Sequence, residues 1–176
     1  MRIIAGSRKG HRIAAPKGDA TRPTGDRIRE AAFNLIGPLG EASVLDLFAG
    51  SGAMGIEALS RGALRATFVE SDRDACRTID ANLDKLRLTG ARVLCQDVLR
   101  FLPVERQAYD LILVDPPYDL LESLAMPLST HLPRLLAPSG LAVVETSARQ
   151  EPELPPLTLR TSRKYGNVRL TVFEHP

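Results

Sequence analysis

The chain has 176 residues, of which 44% are apolar and 25% charged, a length at which folding hides roughly 70% of the unfolded surface and one domain needs neither disulfides nor a structural metal. No run approaches the ~18 apolar residues of a membrane span, and the first ten residues carry charges without a continuous apolar stretch, so a cytoplasmic protein is expected rather than a secreted or membrane one. Net charge is only +2, yet residues 1–30 hold eight Lys/Arg against three Asp/Glu, a local +5 that leaves −3 on the remainder.

That asymmetry, with a smaller basic group at Arg160, Arg163, Lys164 and Arg169, fits either a polyanionic partner held by one face or a solvated, solubilising arm. In chain order, residues 2–5 and 12–14 flank turn-prone residues 6–10 and predict a small amino-terminal β-hairpin. Residues 16–25, rich in Pro, Gly and Thr, read as a loop. Thr24 is then expected to cap a helix with Ile28, Ala31, Ala32, Leu35 and Ile36 on one stripe, ending at Gly37-Pro38. Arg27, Glu30 and Asn34 fall off that stripe.

From here short apolar runs alternate with helical periodicity. Strands are predicted over 43–48, 65–69, 91–95, 109–114 and 141–145, and helices over 52–61, 72–86 and about 120–136. The order implies right-handed βαβ crossovers and a mostly parallel sheet covered on both faces. Residues 157–165 and 167–174, separated by Gly166, predict an antiparallel hairpin at the sheet edge. Cys76 and Cys95, 19 residues apart with no CxxC spacing, are expected as reduced core thiols.

The first of these strands runs into Asp46-Leu47-Phe48-Ala49-Gly50-Ser51-Gly52-Ala53-Met54-Gly55, a G-x-G-x-x-G between a strand and a helix. Such a turn lets a ligand approach backbone N–H groups. Glu70 follows 20 residues after Gly50, at the tip of the next strand, where a carboxylate can accept from both hydroxyls of a ribose. A nucleoside-containing cofactor is the reading. NAD fits poorly, because little chain remains for a second mononucleotide half and Asp46 would repel a pyrophosphate. S-adenosylmethionine (SAM) is cationic and lacks phosphate, so Asp46 suits it; the alternative for Asp46 is a turn residue bonding local N–H groups. Asp97 and the Val98 amide can hold an adenine edge, although Asp97 also reads as a cap for residues 98–101.

The strand over 109–114 ends in Asp115-Pro116-Pro117-Tyr118, at the end of the sheet where ligands bind in open α/β folds. Two prolines stiffen the chain, so Asp115 and the Pro116 carbonyl can form a rigid pair of acceptors for a planar NH2 group while Tyr118 offers a ring for stacking. Accepting both amine hydrogens turns the lone pair toward a sulfonium methyl for in-line displacement, with no metal and no covalent intermediate. The plain alternative is a Pro-rich loop that merely ends a strand.

At this point the sequence resembles the class I SAM-dependent methyltransferases, and among them the RsmD family of small-subunit rRNA guanine-N2 methyltransferases. The resemblance spans essentially the whole chain and is carried by Arg2-Ile3-Ile4-Ala5-Gly6, Arg22-Pro23-Thr24, Arg29-Glu30, Phe33-Asn34, the glycine turn, Glu70, Asp115-Pro116-Pro117-Tyr118 and Tyr165-Gly166. Asn167 stands where the family more usually has an acidic residue. The resemblance implies a Rossmann-like sheet of seven strands, SAM as donor, and a guanine of 16S rRNA as acceptor, within an assembled or partly assembled small subunit. It also implies that the amino-terminal hairpin and the Arg22 to Asn34 segment help seat the RNA; residues 1–40 are expected as a basic RNA-seating extension on a catalytic core of residues 41–176, in a monomer.

The cofactor candidates are therefore Asp46, Phe48, Ala49, Gly50, Gly52, Glu70, Ser71, Asp97 and Val98. Asp115, Pro116, Pro117 and Tyr118 are the catalytic candidates, and Arg8, Lys9, Arg12, Arg22, Pro23, Thr24 and Arg27 the RNA contacts. Phosphate contacts would supply affinity, and the tetrapeptide would read an extruded base. An adenine-N6 methyltransferase, a non-catalytic RNA-binding or assembly factor and an NAD-binding module are the competing readings.

Overall fold

The computed structural model describes residues 1–16 and 25–176 and, of Tyr118, the backbone. Its elements are α1 (Asp26–Ile36), β1 (Ser43–Leu47), α2 (Ala53–Ser60), β2 (Arg65–Glu70), α3 (Arg73–Leu86), β3 (Ala91–Cys95), α4 (Val98–Phe101), β4 (Tyr109–Val114), a 3₁₀ turn (Tyr118–Leu120), α5 (Leu121–Leu135), β5 (Leu136–Ser147), β6 (Thr158–Tyr165) and β7 (Val168–Glu174). The strands form one sheet in the order β3-β2-β1-β4-β5-β7-β6. β1 is buried along its whole length, as a central parallel strand with helices on both faces must be. Its neighbours are set by the register Leu47↔Val69 on one side and Leu47↔Val114 on the other.

Two apolar layers sandwich the sheet. Phe33 of α1, Ile56 of α2 and Ile79 and Leu83 of α3 pack on one face against Val44, Phe68, Leu111 and Val172. Phe101 of α4 and Leu124, Leu128 and Leu132 of α5 pack on the other against Leu45, Val69, Ile112 and Phe173. The terminal hairpin enters reversed: β7 inserts antiparallel beside β5, and β6 becomes the free edge.

Several details differ from expectation for identifiable reasons. The residue capping α1 is Gly25, which supplies no side-chain acceptor, and Thr24 lies outside the described residues. β5 begins directly after α5, with Leu136 opposite Tyr109, and the ladder shifts register before Leu141 pairs with Leu111. Pro138 in that interval has no amide to give a ladder. Cys76 is buried, but Cys95, the last residue of β3, is exposed, because β3 is an edge strand whose outward positions meet water.

The amino-terminal hairpin is reduced to a single bridge, Arg2↔Arg12. The two segments stay joined by Ile3 N–H to His11 O (2.9 Å), Gly10 N–H to Ile3 O (2.8 Å) and Ile13 N–H to Met1 O (3.1 Å), and side chains from the helices hold further backbone groups. The carboxylate of Glu57 in α2, fully buried, accepts from the N–H groups of Ile4 (2.8 Å) and Ala5 (3.0 Å) and from Arg61 Nε (2.7 Å). Asn82 of α3 accepts from Ala14 N–H (2.8 Å) and donates to Ala14 O (3.0 Å) and Ser51 O (3.3 Å). Ile3 and Ile13 complete the docking by entering the apolar layer. The segment is thus tied to α2, α3 and the glycine turn.

Removing a buried carboxylate that holds two amides and a guanidinium leaves all three short of a partner, each such loss being worth about 1–3 kcal/mol before relaxation. Glu57→Ala is expected to lower stability by about 2–4 kcal/mol in urea denaturation, with amide-exchange protection lost first at Ile4 and Ala5. Retained protection there would show that Glu57 is not the anchor.

Candidate active site

β1 is the strand at which the connection order reverses, with β2 and β3 to one side and β4 and β5 to the other, and ligands bind at this point of open α/β sheets. The chain leaves β1 through Phe48 (φ 61°), Gly50 (φ 55°) and Gly52 (φ 76°), the last being the left-handed cap of α2. At Gly55 the need is space: a Cβ there would lie 2.3 Å from Phe68 Cε1, so only glycine lets α2 approach β2 this closely. Ala49 N–H reaches Val69 O at 3.1 Å and fixes the turn to β2.

Two carboxylates organise this turn. Glu70, at the end of β2, accepts Gly50 N–H on Oε2 (2.8 Å) and Asp72 N–H on Oε1 (2.9 Å), which holds its plane against the glycine turn and leaves further lone pairs on both oxygens. Asp46, only 3% exposed, accepts Gly55 N–H at 2.9 Å. Burial pushes the Asp46 carboxyl up to about 8; the Gly55 N–H opposes this, and the nearby charges of Asp115 and Glu70 add to it. Three carboxylates thus converge on one crevice. A cationic ligand relieves their mutual repulsion, whereas a pyrophosphate would increase it, so the donor set fits SAM.

Around the rim, Asp97 caps α4 by accepting Leu99 N–H on Oδ1 (2.8 Å), so the cap is real and one oxygen of this candidate already has a local donor. Val98 is buried and Ser71 exposed. Across the switch point, Leu47↔Val114 brings Phe48 and Asp115 to adjacent strand ends, and Asp115 N–H faces Leu47 O at 3.5 Å. Asp115 is half-buried, Pro116 buried and Pro117 exposed, with Pro117 O accepting from Leu120 N–H (3.0 Å) in the turn that starts α5. A cavity of about 420 Å³ lined by Ala42, Asp110, Ser139 and Arg160 lies at the opposite, amino ends of the strands and is separate from this crevice.

The basic residues of the first thirty divide by role. Lys9, Arg12 and Arg27 are exposed. Arg8 instead turns its guanidinium onto the carboxyl end of α3, donating to Leu86 O (2.6 Å) and Arg87 O (3.3 Å), where a cation complements the helix dipole. Arg29 is fully buried and donates to Asp26 Oδ1 (2.8 Å) and Arg2 O (2.5 Å). Arg22, Pro23 and Thr24 lie outside the described residues. Sequence reasoning missed Asn82 and Glu57, which attach the amino-terminal segment to α3 and α2. Each is a polar residue on the inward, apolar face of its helix, and that was the available signal.

Comparison with known proteins decides the family. The family described as Conserved hypothetical protein 95 matches residues 1–174. The chain belongs to this family, the RsmD family. The chain is 34% identical to the ribosomal RNA small subunit methyltransferase D of Haemophilus influenzae, over 99% of this chain and 94% of that protein. It is 41% identical to the protein of the same name from Escherichia coli, over 67% of this chain and 60% of that one. A hypothetical protein of Thermus thermophilus, 33% identical, superposes with a TM-score of 0.85 over 99% of both chains. The fold is therefore shared with that protein over nearly the whole of both chains.

Asp46 provides a direct check on the electrostatics. Its folded pKa of about 8 lies above the ordinary carboxylate range, so between about pH 4 and 8 the folded protein keeps a proton that the unfolded chain has released. Stability of the wild type relative to Asp46→Asn should therefore fall as pH rises from about 5 to 8 and level off beyond. Thermal denaturation across that range tests this, and a pH-independent difference would remove Asp46 as the buried acid.

Proposed function

We propose that this chain is a SAM-dependent rRNA methyltransferase that methylates the exocyclic N2 amine of a guanine in 16S rRNA, within the small ribosomal subunit or an assembly intermediate of it. The observation that carries the reading is the pairing of two features across the switch point: a cation-seeking crevice built by Asp46 and Glu70, and the rigid Asp115-Pro116 acceptors at the end of the neighbouring strand. Membership of the RsmD family, with relatives named for small-subunit rRNA methylation, supports the substrate class.

On this reading Glu70 holds the ribose hydroxyls with the lone pairs that Gly50 and Asp72 leave open. Asp46 faces the ammonium end, and the turn of Phe48, Ala49, Gly50 and Gly52 lets the ligand lie against the backbone. Asp97, Val98 and Ser71 border the adenosine end. SAM supplies an electrophilic methyl group on a positively charged sulfur. Asp115 and the Pro116 carbonyl accept the two hydrogens of the base amine, which frees the nitrogen lone pair for attack and stabilises the charge that grows on that nitrogen. Pro117 stiffens the loop, Tyr118 offers a stacking surface for the extruded base, and Asp115 takes the proton that the methylated amine sheds. Lys9, Arg12 and Arg27, with Arg22, Pro23 and Thr24, contact the RNA backbone. The guanidinium of Arg8 orders that arm from α3.

Nucleoside mass spectrometry of 16S rRNA from a strain lacking the gene tests the assignment. N2-methylguanosine should fall, return with the wild-type gene and stay absent with Asp115→Ala. Loss of N6-methyladenosine instead would move the activity to adenine. In vitro, Asp115→Ala is expected to cut turnover by about 10²–10³ while S-adenosylhomocysteine binding, followed by calorimetry, stays within about threefold. Glu70→Ala should show the reverse pattern, weakening S-adenosylhomocysteine binding by at least about tenfold, the loss of one or two charge-assisted hydrogen bonds.

A further inference from the structure

The carboxyl-terminal basic group has no part in the crevice, and its members have different fates. Arg169, in β7, is 5% exposed and occupied: it donates to Glu151 Oε1 (2.5 Å) and Ser162 Oγ (2.9 Å). Arg160 sits 3.9 Å from Glu174 near the amino ends of the parallel strands. Arg163, Lys164 and Arg149 are exposed and make no ion pair with a described residue.

The ladder locates these three. Val114 pairs with Val144, so Asp115 and Glu145 occupy the next row; Glu145 pairs with Leu170, and Leu170 with Arg163. Arg163 therefore lies in the row of Asp115, three strand spacings away, about 14 Å. Lys164 and Tyr165 extend β6 past that row on the side where the crevice opens. Arg149 joins them, because Ala148 N–H bonds to Asn167 O (2.9 Å) and ties its loop to the β6–β7 turn.

Of the carboxylates near this rim, Glu145 is buried within the row itself. Lys164 lies directly opposite Arg169, a like-charge cross-strand pair that is unfavourable, and Glu151 is already engaged by Arg169. Both faces of a free edge strand are involved, since Arg163 and Lys164 point to opposite sides. Charges on an edge strand also discourage strand pairing, but that purpose does not require them to cluster at the crevice end or to face another cation.

We propose that Arg149, Arg163 and Lys164 form a phosphate-binding surface that grips RNA on the β6 side of the crevice. The proposal rests on the methyltransferase reading above and assigns it an RNA contact at the free edge of the sheet. Phosphates at this rim satisfy the exposed cations, relieve the Lys164–Arg169 repulsion and fix the flanking strand about 14 Å from the acceptor pair.

The test is fluorescence anisotropy with labelled 16S rRNA fragments and, separately, small subunits from the gene-deleted strain, at several salt concentrations. Arg163→Glu/Lys164→Glu should raise Kd at least about tenfold and flatten the salt slope by about 0.7 for each phosphate no longer neutralised, with S-adenosylhomocysteine binding unchanged as the measure of intact fold. Arg65→Glu/Arg106→Glu, an equal charge change at the amino ends of the strands, should shift Kd less than about threefold. Equal losses in both pairs would mean a general charge effect and overturn the proposal, as would an unchanged salt slope in the first pair. If the first pair weakens binding to subunits but not to naked rRNA that the wild type binds, the edge holds a protein and the proposal also fails. A wild type that leaves 16S rRNA unmethylated in these preparations would defeat the methyltransferase reading itself, whatever the variants do.

Discussion

A carboxylate deprived of water sets the chemistry of this fold. Asp46 is buried inside β1, where it accepts the N–H of Gly55 in the first turn of α2. That bond joins the central strand to the helix that follows the glycine turn. It exists only because Gly55 lacks the Cβ that Phe68 would exclude. A buried acid with like charges near it is an unfavourable arrangement for folding alone. Its pKa near 8 is the sign of that cost, and a bound cation is what would reverse it. The glycine spacing, the close approach of α2 to β2 and the electrostatic preference of the crevice are consequences of one placement.

The same constraint accounts for how Glu70 is held. A flexible side chain at a strand end ordinarily samples several rotamers, but two backbone amides, one from each side, fix this carboxylate on the glycine turn. Its position needs no ligand to establish it. Preorganisation of this kind lowers the entropy lost when a ribose binds. On the opposite side of β1, the prolines after Asp115 act similarly through the backbone, by restricting the loop rather than by adding bonds.

Much of this was readable in the sequence because its determinants are local. The turn and Glu70 are twenty residues apart, a spacing set by one βαβ unit, and the buried strands announce themselves as short apolar runs. The order of the parallel strands follows from right-handed crossovers, and the terminal hairpin from Gly166. What was not readable depends on which donors each charged group meets in space. Arg8, Arg27 and Arg29 look alike as cations in a basic arm. One caps α3, one faces solvent and one is buried against Asp26. Charge counting cannot separate them, because a guanidinium is assigned by the carbonyls and carboxylates around it. Likewise the amino-terminal hairpin forms as a short ladder, but Glu57 and Asn82, from helices more than forty residues away, are what dock it on the core. Cys95 looks like a core thiol by composition and is exposed because β3 is an edge.

That redistribution changes the physical meaning of the net charge. Of the eight cations in residues 1–30, Arg29 and Arg8 hold the fold together and Arg2 faces Asp26 at 3.3 Å, so the arm presents fewer mobile charges than its composition suggests. Lys9 sits in the turn that docks on Ser60 and Leu86, at the carboxyl ends of α2 and α3, and so lies toward the amino ends of the strands, away from the crevice. The sheet places other exposed cations at the crevice end, where the terminal hairpin brings Arg163 to the row of Asp115. The antiparallel insertion of β7 is what makes this happen. Because β7 runs against β5, β6 runs with it, and the last residues of β6 emerge at the carboxyl edge that the other strands devote to binding. A parallel β7 would have sent Arg163 and Lys164 to the far end of the molecule. The direction of one strand therefore decides whether the carboxyl-terminal charges stand at the crevice end of the sheet.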